Sequence, residues 1–539
     1  MTALPILRPS RRAPLAALLT TSVLLTACGS GDGGSGSGSG RPKSGGTLTF
    51  AVGSDAGCVD PQQVGSNDTI YSVRQIVDSL TDQDPATGKI VPWLAKSWDI
   101  NSDATRFTFH LRSGVTFSDG SELTAQVVKD NFDAVPKLGA LGTLAEGYLS
   151  GVQSTTVIDP LTVKVTFKQP NAQFLQATST HTLGIESSAS VRKTPQQKCS
   201  DGIVGSGPFV LKQYVQNQSI TLARRTGYAW GSALWSKKGE AYLDKLVFKV
   251  VPEAGVRAGS LQSGQVDAIS SVGKANEAAL KGGQVALQRR ANPGVVFGLG
   301  LNNARPLLKD ARVRQAIQVA VDRSQIADTV FPTGTRPATS VLAHTTPDYT
   351  DLSSDLSTDT AKAKSLLEQA GWQTGGDGIR TKDGKRLSLT ITWFPNSATN
   401  QPALELVQQQ LKAVGIDVVL KQLQVTQFAT TLQSGDFDVV WGNVTRSDPD
   451  ILRSSFSTRL GNFYHLPASS LDTALSGQAA ATDTAKRGKL VAEAQRLLVR
   501  NAYYVPVVEL QTQLGVSKKV HDLAFDSGSR VQLHDTWIG

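Results

Sequence analysis

Apolar side chains recur at every second position through the first long stretch of the chain, residues 47–251. Phe107, Phe109 and Leu111 share one face of a predicted strand and leave His110 on the other, where it reads as a solvated residue. Leu161, Val163, Val165 and Phe167 alternate with Thr162, Lys164 and Thr166 after the turn Asp159-Pro160, the pattern of a half-buried antiparallel hairpin. Residues 220–222 and 246–251 add further strands. From about Asn302 the period changes. Val313, Ile317, Ala320 and Val321 recur at helical spacing, and Ser324 is placed to cap a next helix from Gln325. A helix over 361–370 stops at Gly371, where a left-handed residue is wanted. Leu387, Leu389, Ile391 and Trp393 then line a strand face. Leu404, Val407, Leu411 and Val414 mark a helix ended by Gly415, and residues 416–423 form a second strand. This strand–helix–strand order is a βαβ unit and predicts parallel pairing. A strand over 437–441 brings Trp441 to a strand end, where ligands of α/β sheets bind. A helix over 485–500 and a strand over 504–510 close the pattern. No fixed-period repeat and no long internal linker occurs, so the chain passes between lobes more than once.

The first residues have another character. Arg8, Arg11 and Arg12 precede a thirteen-residue apolar run, 15–27, which is too short for a bilayer core needing about twenty residues. Leu25-Thr26-Ala27-Cys28 resembles a bacterial lipobox, whose cysteine is lipidated and becomes the new N-terminus. The alternative is an ordinary signal peptide that happens to end near a cysteine. Residues 29–40 are seven Gly, four Ser and one Asp, a flexible tether. From Cys28 to Ser44 its r.m.s. reach is about 20 to 25 Å. The reading is a signal peptide over 1–27, a lipidated Cys28 with its tether over 28–43, and a body held at the outer face of the cytoplasmic membrane through the lipid alone.

Composition adds constraints. A chain of 539 residues, 40% hydrophobic and 18% charged with 50 Gly and 23 Pro, is a large, loop-rich globular protein. Its formal charge of +9 falls to +6 without the three leader arginines, and no stretch interleaves basic with aromatic residues, so nucleic acid is not an expected partner. In an exported protein Cys58 and Cys199 read as a disulfide; two separate buried thiols are the alternative.

Enzyme signatures fail one by one. HExxH and CxxC are absent, and none of Gly88-Lys89, Gly273-Lys274, Gly384-Lys385 and Gly488-Lys489 is followed by Ser or Thr as a P-loop requires. Gly31, Gly33 and Gly36 match GxGxxG only inside the tether. The histidines, at 110, 181, 344, 465, 521 and 534, form no i,i+4 pair. Catalytic residues, metal ligands and cofactors are therefore not expected.

Gly45-Gly46-Thr47-Leu48, Val59-Asp60-Pro61 and the run from Ile90 through VPWLAKSWDINSDATRFTFHLRSGVTFSDGSELTAQVVKDNF at 91–132 resemble the family 5 extracellular solute-binding proteins, the peptide and nickel receptors of ABC importers. GSGPFVLKQY (205–214), LQSGQVDAI (261–269), DARVRQAIQVAVDRSQI (310–326), AKAKSLLEQAGW (361–372), GDFDVVW (435–441) and VPVVEL (505–510) are similar to that family's blocks, in its order. The resemblance implies an α/β fold with two lobes of the periplasmic-binding-protein type (type II, large cluster C-like), an extra subdomain in the first lobe, and a ligand enclosed by hinge closure. Lobe I would comprise 44–75, 200–292 and 505–539, its inserted subdomain 76–199, and lobe II 293–504. Cys58 and Cys199 then both border lobe I, which favours their pairing. The expected partners are a peptide-like or other small solute and an ABC permease, with the receptor a monomer. A surface sensor or adhesin, or an exported hydrolase, is the alternative.

The pattern breaks at one informative point. Peptide-binding members commonly carry an Asp three residues after the equivalent of Trp441, where it pairs with the peptide ammonium; here the position is Val444, with Asn443 before it and Arg446 beyond. Asp448 is either a substitute for that Asp or an N-cap with Pro449 at N1. Arg446 suits an anionic ligand group, with a ring-shaped or apolar part on Trp441, or else points to solvent. Phe394, Asn396 and Asn400 form a second expected lining element; Trp441 and Phe394 are equally readable as core.

Overall fold

The computed structural model describes residues 41–539 apart from 395 and 396, so Cys28 and Asn396 lie outside the described residues. Three sheets organise the body. The first has seven strands, in the order Val285–Ala291, Gln511–Ser517, Ala268–Ile269, Thr47–Val52, Lys245–Val250, Ser219–Arg224 and Phe209–Val215. Its central strand buries Leu48, Phe50 and Val52 on one face, as the alternation with Thr47 and Thr49 requires, and pairs in parallel with Lys245–Val250. Phe50 stacks on Phe248 across that pairing at 5.8 Å.

The second sheet belongs to the insert and is wholly antiparallel: Ala95–Ile100, Arg106–Leu111, Thr162–Phe167, Val152–Asp159. Phe107, Phe109, Leu111, Val163, Val165 and Phe167 all point into one core. Phe174 sits at its centre, with ring centroids 4.8 Å from Phe167 and 5.1 Å from Phe107. His110 lies on the other face, 2.9 Å from the Asp99 carboxylate.

The third sheet defines lobe II, in the order Asp417–Gln422, Ser388–Trp393, Val439–Thr445, Gly294–Leu301, Tyr504–Val508. Ser388–Trp393 and Asp417–Gln422 pair in parallel around the helix Asn400–Ala413, and Gly371 and Gly415 take the positive φ (88° and 89°) that stops the helices before them. Three expectations need correction. The helix Arg323–Val330 is capped by Asp322, not Ser324, because the Asp322 carboxylate accepts the Gln325 N–H at 2.9 Å. The strand through Trp441 runs on to Thr445, so Trp441 is internal; Gly442 and Asn443 hide the continuation from a hydrophobic pattern, but backbone pairing to Gly294–Leu301 carries it through. Tyr504–Val508 pairs with that same strand, so the return crossing falls at Glu509 and Leu510 and not at 505.

The other crossing, at Asn292 and Pro293, lies beside it. Asn292 donates its N–H to the Leu510 carbonyl at 2.8 Å, and its side-chain oxygen accepts the Thr512 N–H and hydroxyl at 3.0 and 2.8 Å. The Glu509 carboxylate accepts the His344 N–H at 3.0 Å and faces the His344 ring.

The insert is fastened to lobe I by a disulfide between Cys58 and Cys199. Beside it the fully buried Asp60 and Glu186 share Lys198, at 3.4 and 3.0 Å. Burial pushes the Glu186 carboxyl well above its ordinary range and the Asp60 charge adds to this. Burial also pulls Lys198 down, but the two carboxylates outweigh it and keep the ammonium charged. Asp78 accepts from the Tyr228 hydroxyl at 3.1 Å and the Trp230 indole at 2.9 Å; burial pushes it up to about 6 despite those bonds.

Candidate ligand-binding cleft

The segment from Trp441 to Pro449 leaves the third sheet at the crossing and faces lobe I and the insert. Its geometry depends on a glycine. Gly294 (φ 112°) pairs with Thr445, and a β-carbon there would stand 2.2 Å from the Val444 carbonyl oxygen, so only glycine admits the close approach. The Arg446 N–H then donates to the Pro293 carbonyl at 3.1 Å, fixing the turn out of the sheet.

Successive residues diverge from that turn. Asn443 and Val444 line a hollow of about 120 Å³ with Phe394, Phe428 and the rings of Tyr464 and Tyr504. Phe394 packs on Phe428 at 4.8 Å. Burial pushes the Tyr464 hydroxyl up to about 12, so this surface stays neutral at physiological pH. Trp441 also borders the hollow but is only 1% exposed: Phe297 stacks on it at 5.2 Å and its indole N–H donates to Asn400 at 3.0 Å. Asn400 in turn donates to the Phe394 carbonyl at 3.1 Å. Trp441 is thus not a free ring for a ligand to stack on. With Asn400 it holds the Phe394 loop, because a strand-interior side chain in this register points into the core.

Arg446 turns the other way. It is 5% exposed, its guanidinium lies 4.3 Å over the Tyr148 ring of the insert, and it donates to the Ser454 hydroxyl at 3.3 Å. Among the described residues no carboxylate lies within ion-pair distance of it. Ser447 reaches Ser527 of the C-terminal segment at 3.2 Å. Asp448 is spent: its carboxylate takes the Asp450 N–H at 2.8 Å and two N–H groups of Arg487. The following helix, Ile451–Phe456, begins beyond it, so Asp448 is neither a free ammonium ligand nor that helix's N-cap.

The structure therefore gathers Phe394, Asn443 and Val444 at one hollow, with Trp441 and Asn400 behind it. Arg446 faces the neighbouring seam, and Asp448 borders a separate cavity. Tyr148 and Phe428 were not legible. Both come from segments remote in sequence, and an aromatic within an amphipathic helix carries no mark of what it meets. Among the described residues no three His, Cys, Asp or Glu side chains are grouped to hold a metal ion, and no helix is long and apolar enough to cross a membrane.

A two-lobed α/β body with an inserted subdomain and two adjacent crossings is the architecture of a solute-binding protein. The chain matches the family of bacterial extracellular solute-binding proteins, family 5 Middle, over residues 89–462 and belongs to that family. It is a substrate-binding protein of an ABC importer, delivering its solute to the permease. The nickel-binding periplasmic protein of Escherichia coli K12 is 25% identical over 403 residues, 71% of this chain and 74% of its own. The glutathione-binding protein GsiB of Salmonella paratyphi A is 26% identical over 486 residues, 86% of this chain and 88% of its own. The structure of NikA from Brucella suis in complex with Fe(III)-EDTA superposes with a TM-score of 0.79 at 24% identity, covering 92% of this chain and all of that one.

Proposed function

We propose that the cleft beside Arg446 captures a peptide-like or other small solute that carries a carboxylate or another strongly accepting group. The observation behind this reading is the buried guanidinium of Arg446, which has an aromatic face and one hydroxyl for company and, among the described residues, no counter-charge. Desolvating a cation without an anion is costly, and a ligand carboxylate reaching it as the lobes close would answer that cost through charge-assisted bonds. Phe394 and Phe428 line the hollow on the other side of this segment, so a solute using both places would have to span it. With Val444 at the position where the family resemblance leads one to expect Asp, an ordinary peptide ammonium would meet a cation and no carboxylate among the described residues. A relative that binds glutathione, a peptide of net negative charge, agrees with this reading.

In this reading lobe I comprises 44–75, 200–292 and the chain after the Glu509 crossing, the insert 76–199 and lobe II 293–508. The receptor acts as a monomer, catalyses nothing, and is held at the membrane by lipid on Cys28. Cys28→Ser should then release the body into the medium. For the ligand, native mass spectrometry of the protein exposed to a panel of acidic peptides and small carboxylates identifies what is retained, and calorimetry measures it. Arg446→Ala should weaken that compound by about 2 to 5 kcal/mol. Unchanged affinity in the variant, or tight binding of plain trialanine through its amino end, would overturn the reading.

A further inference from the structure

A cavity of about 550 Å³ lies between the insert and lobe II and shares no lining residue with the hollow at Asn443 and Val444. Its volume is that of a site for a small organic molecule, and it sits at a junction between structural units, where such sites concentrate. One wall is apolar: Ile90, Ile100, Phe107 and Leu175 come from the insert, with Pro347 and Ala481 opposite. Ile100 is 38% exposed, an apolar surface left uncovered beside the lumen.

The charged groups on the wall are two carboxylates, Asp348 and Asp448, and two cations, Lys89 and Arg487. The Gln176 amide donates to the Gln83 oxygen at 3.2 Å and the Gln83 amide to the Gly88 carbonyl at 3.1 Å, while the buried Gln176 oxygen has no partner among the described residues. Asp448 is neutralised by Arg487, which grips it with two N–H groups. Asp348, an exposed residue like Lys89, also lines the cavity and makes no ion pair among the described residues. Partial burial raises its pKa; Arg487 pulls it back and Asp448 pushes it further up. Lys89 is the remaining charged group on the wall, an exposed side chain that pairs with neither aspartate. The charges on the wall balance in sum, but Asp348 is the carboxylate there that makes no ion pair among the described residues, and it stands beside the apolar wall. The rim is closed at two points, where the Ala172 N–H donates to the Ala479 carbonyl at 2.9 Å and where Gly88 lies against Pro347. Any occupant therefore touches both the insert and lobe II.

We propose that this cavity is a second binding site, separate from the cleft, for an amphipathic monocation: an ammonium or guanidinium group against Asp348, with an aliphatic or ring-shaped body along Ile100, Phe107 and Leu175. The test is an NMR titration of the mature chain with n-hexylammonium, with hexanoate as the matched anion. Hexylammonium should bind and hexanoate should not. Asp348→Asn should weaken hexylammonium by about tenfold, the scale of one charged hydrogen bond. Ile100→Lys, on a partly exposed position that tolerates a charge, should abolish binding by placing a cation in the lumen. Arg446→Ala should leave it unchanged. Equal binding of hexanoate, undiminished binding in Asp348→Asn or Ile100→Lys, no binding of hexylammonium at all, or its loss in Arg446→Ala, which would locate the cation in the cleft, would each overturn the proposal.

Discussion

Where the insert meets lobe I, the structure places a disulfide, a fully buried two-carboxylate, one-ammonium cluster, and Asp78 held by Tyr228 and Trp230. Where the insert and lobe I meet lobe II, the contacts are smaller and scattered: the Arg446–Tyr148 stack, the Ser447–Ser527 bond, one backbone bond from Ala172 to Ala479, the Glu277 carboxylate accepting the Thr333 N–H and hydroxyl, and a bond from Lys274 to the Asp328 carbonyl. The difference is one of reversibility. A buried charge released from its partner is left uncompensated, which costs several kcal/mol, so the first seam cannot part in normal working motion. A hydroxyl pair contributes about 1 kcal/mol and a desolvated cation–π contact about 2 kcal/mol, and water replaces both on opening. In the proposed reading the insert would travel with lobe I, and the crossings at Asn292 and Glu509 would absorb a hinge motion.

Changes on the two seams should separate them. The largest effect is expected for Lys198→Met, which strands Asp60 and Glu186 in the interior and should lower unfolding stability by about 3 to 5 kcal/mol in urea titration. A loss below about 1 kcal/mol would show that water reaches this seam. Replacing both Cys58 and Cys199 by Ser should cost about 2 to 4 kcal/mol, since the bridge closes a loop with a sequence separation of 141 residues. Differential scanning calorimetry should show the loss first in the transition containing the insert.

Asp78→Asn sharpens the comparison through pH. The folded carboxyl, at about 6, lies above its ordinary 3.8, so its contribution to stability is complete below pH 3.8 and is lost as pH rises through 6. The wild type should therefore lose about 2 to 3 kcal/mol relative to the variant between pH 4 and 7. Parallel stability curves would show that Asp78 is not buried as the structure has it. The smallest effect belongs to the other seam: Ser447→Ala should change unfolding stability by less than about 1 kcal/mol. A loss as large as that of Lys198→Met would mean that the seams are equivalent.

What the sequence determined by itself was whatever depends on near neighbours. The period of Phe107, Phe109 and Leu111, the helix stops at Gly371 and Gly415 and the order of the family blocks fix strands, helices and fold class, because backbone preference and side-chain facing act over a few residues. Helix starts were less legible: Asp322 and Ser324 both qualify as caps, and only the folded backbone brings the Gln325 N–H to one of them. Trp441, Phe394 and Asn400 were recognisable as a group, but which side of Trp441 faces the core depends on Phe297, 144 positions away along the chain and 5.2 Å away in space. Arg446 and Asp448 stand two positions apart in sequence, yet one meets Tyr148 and has no counter-ion among the described residues while the other is neutralised by Arg487. Local sequence carries the charge of a side chain. Only the tertiary structure decides its partner, since the partner is delivered by a different element at a distance the chain's local rules do not reach.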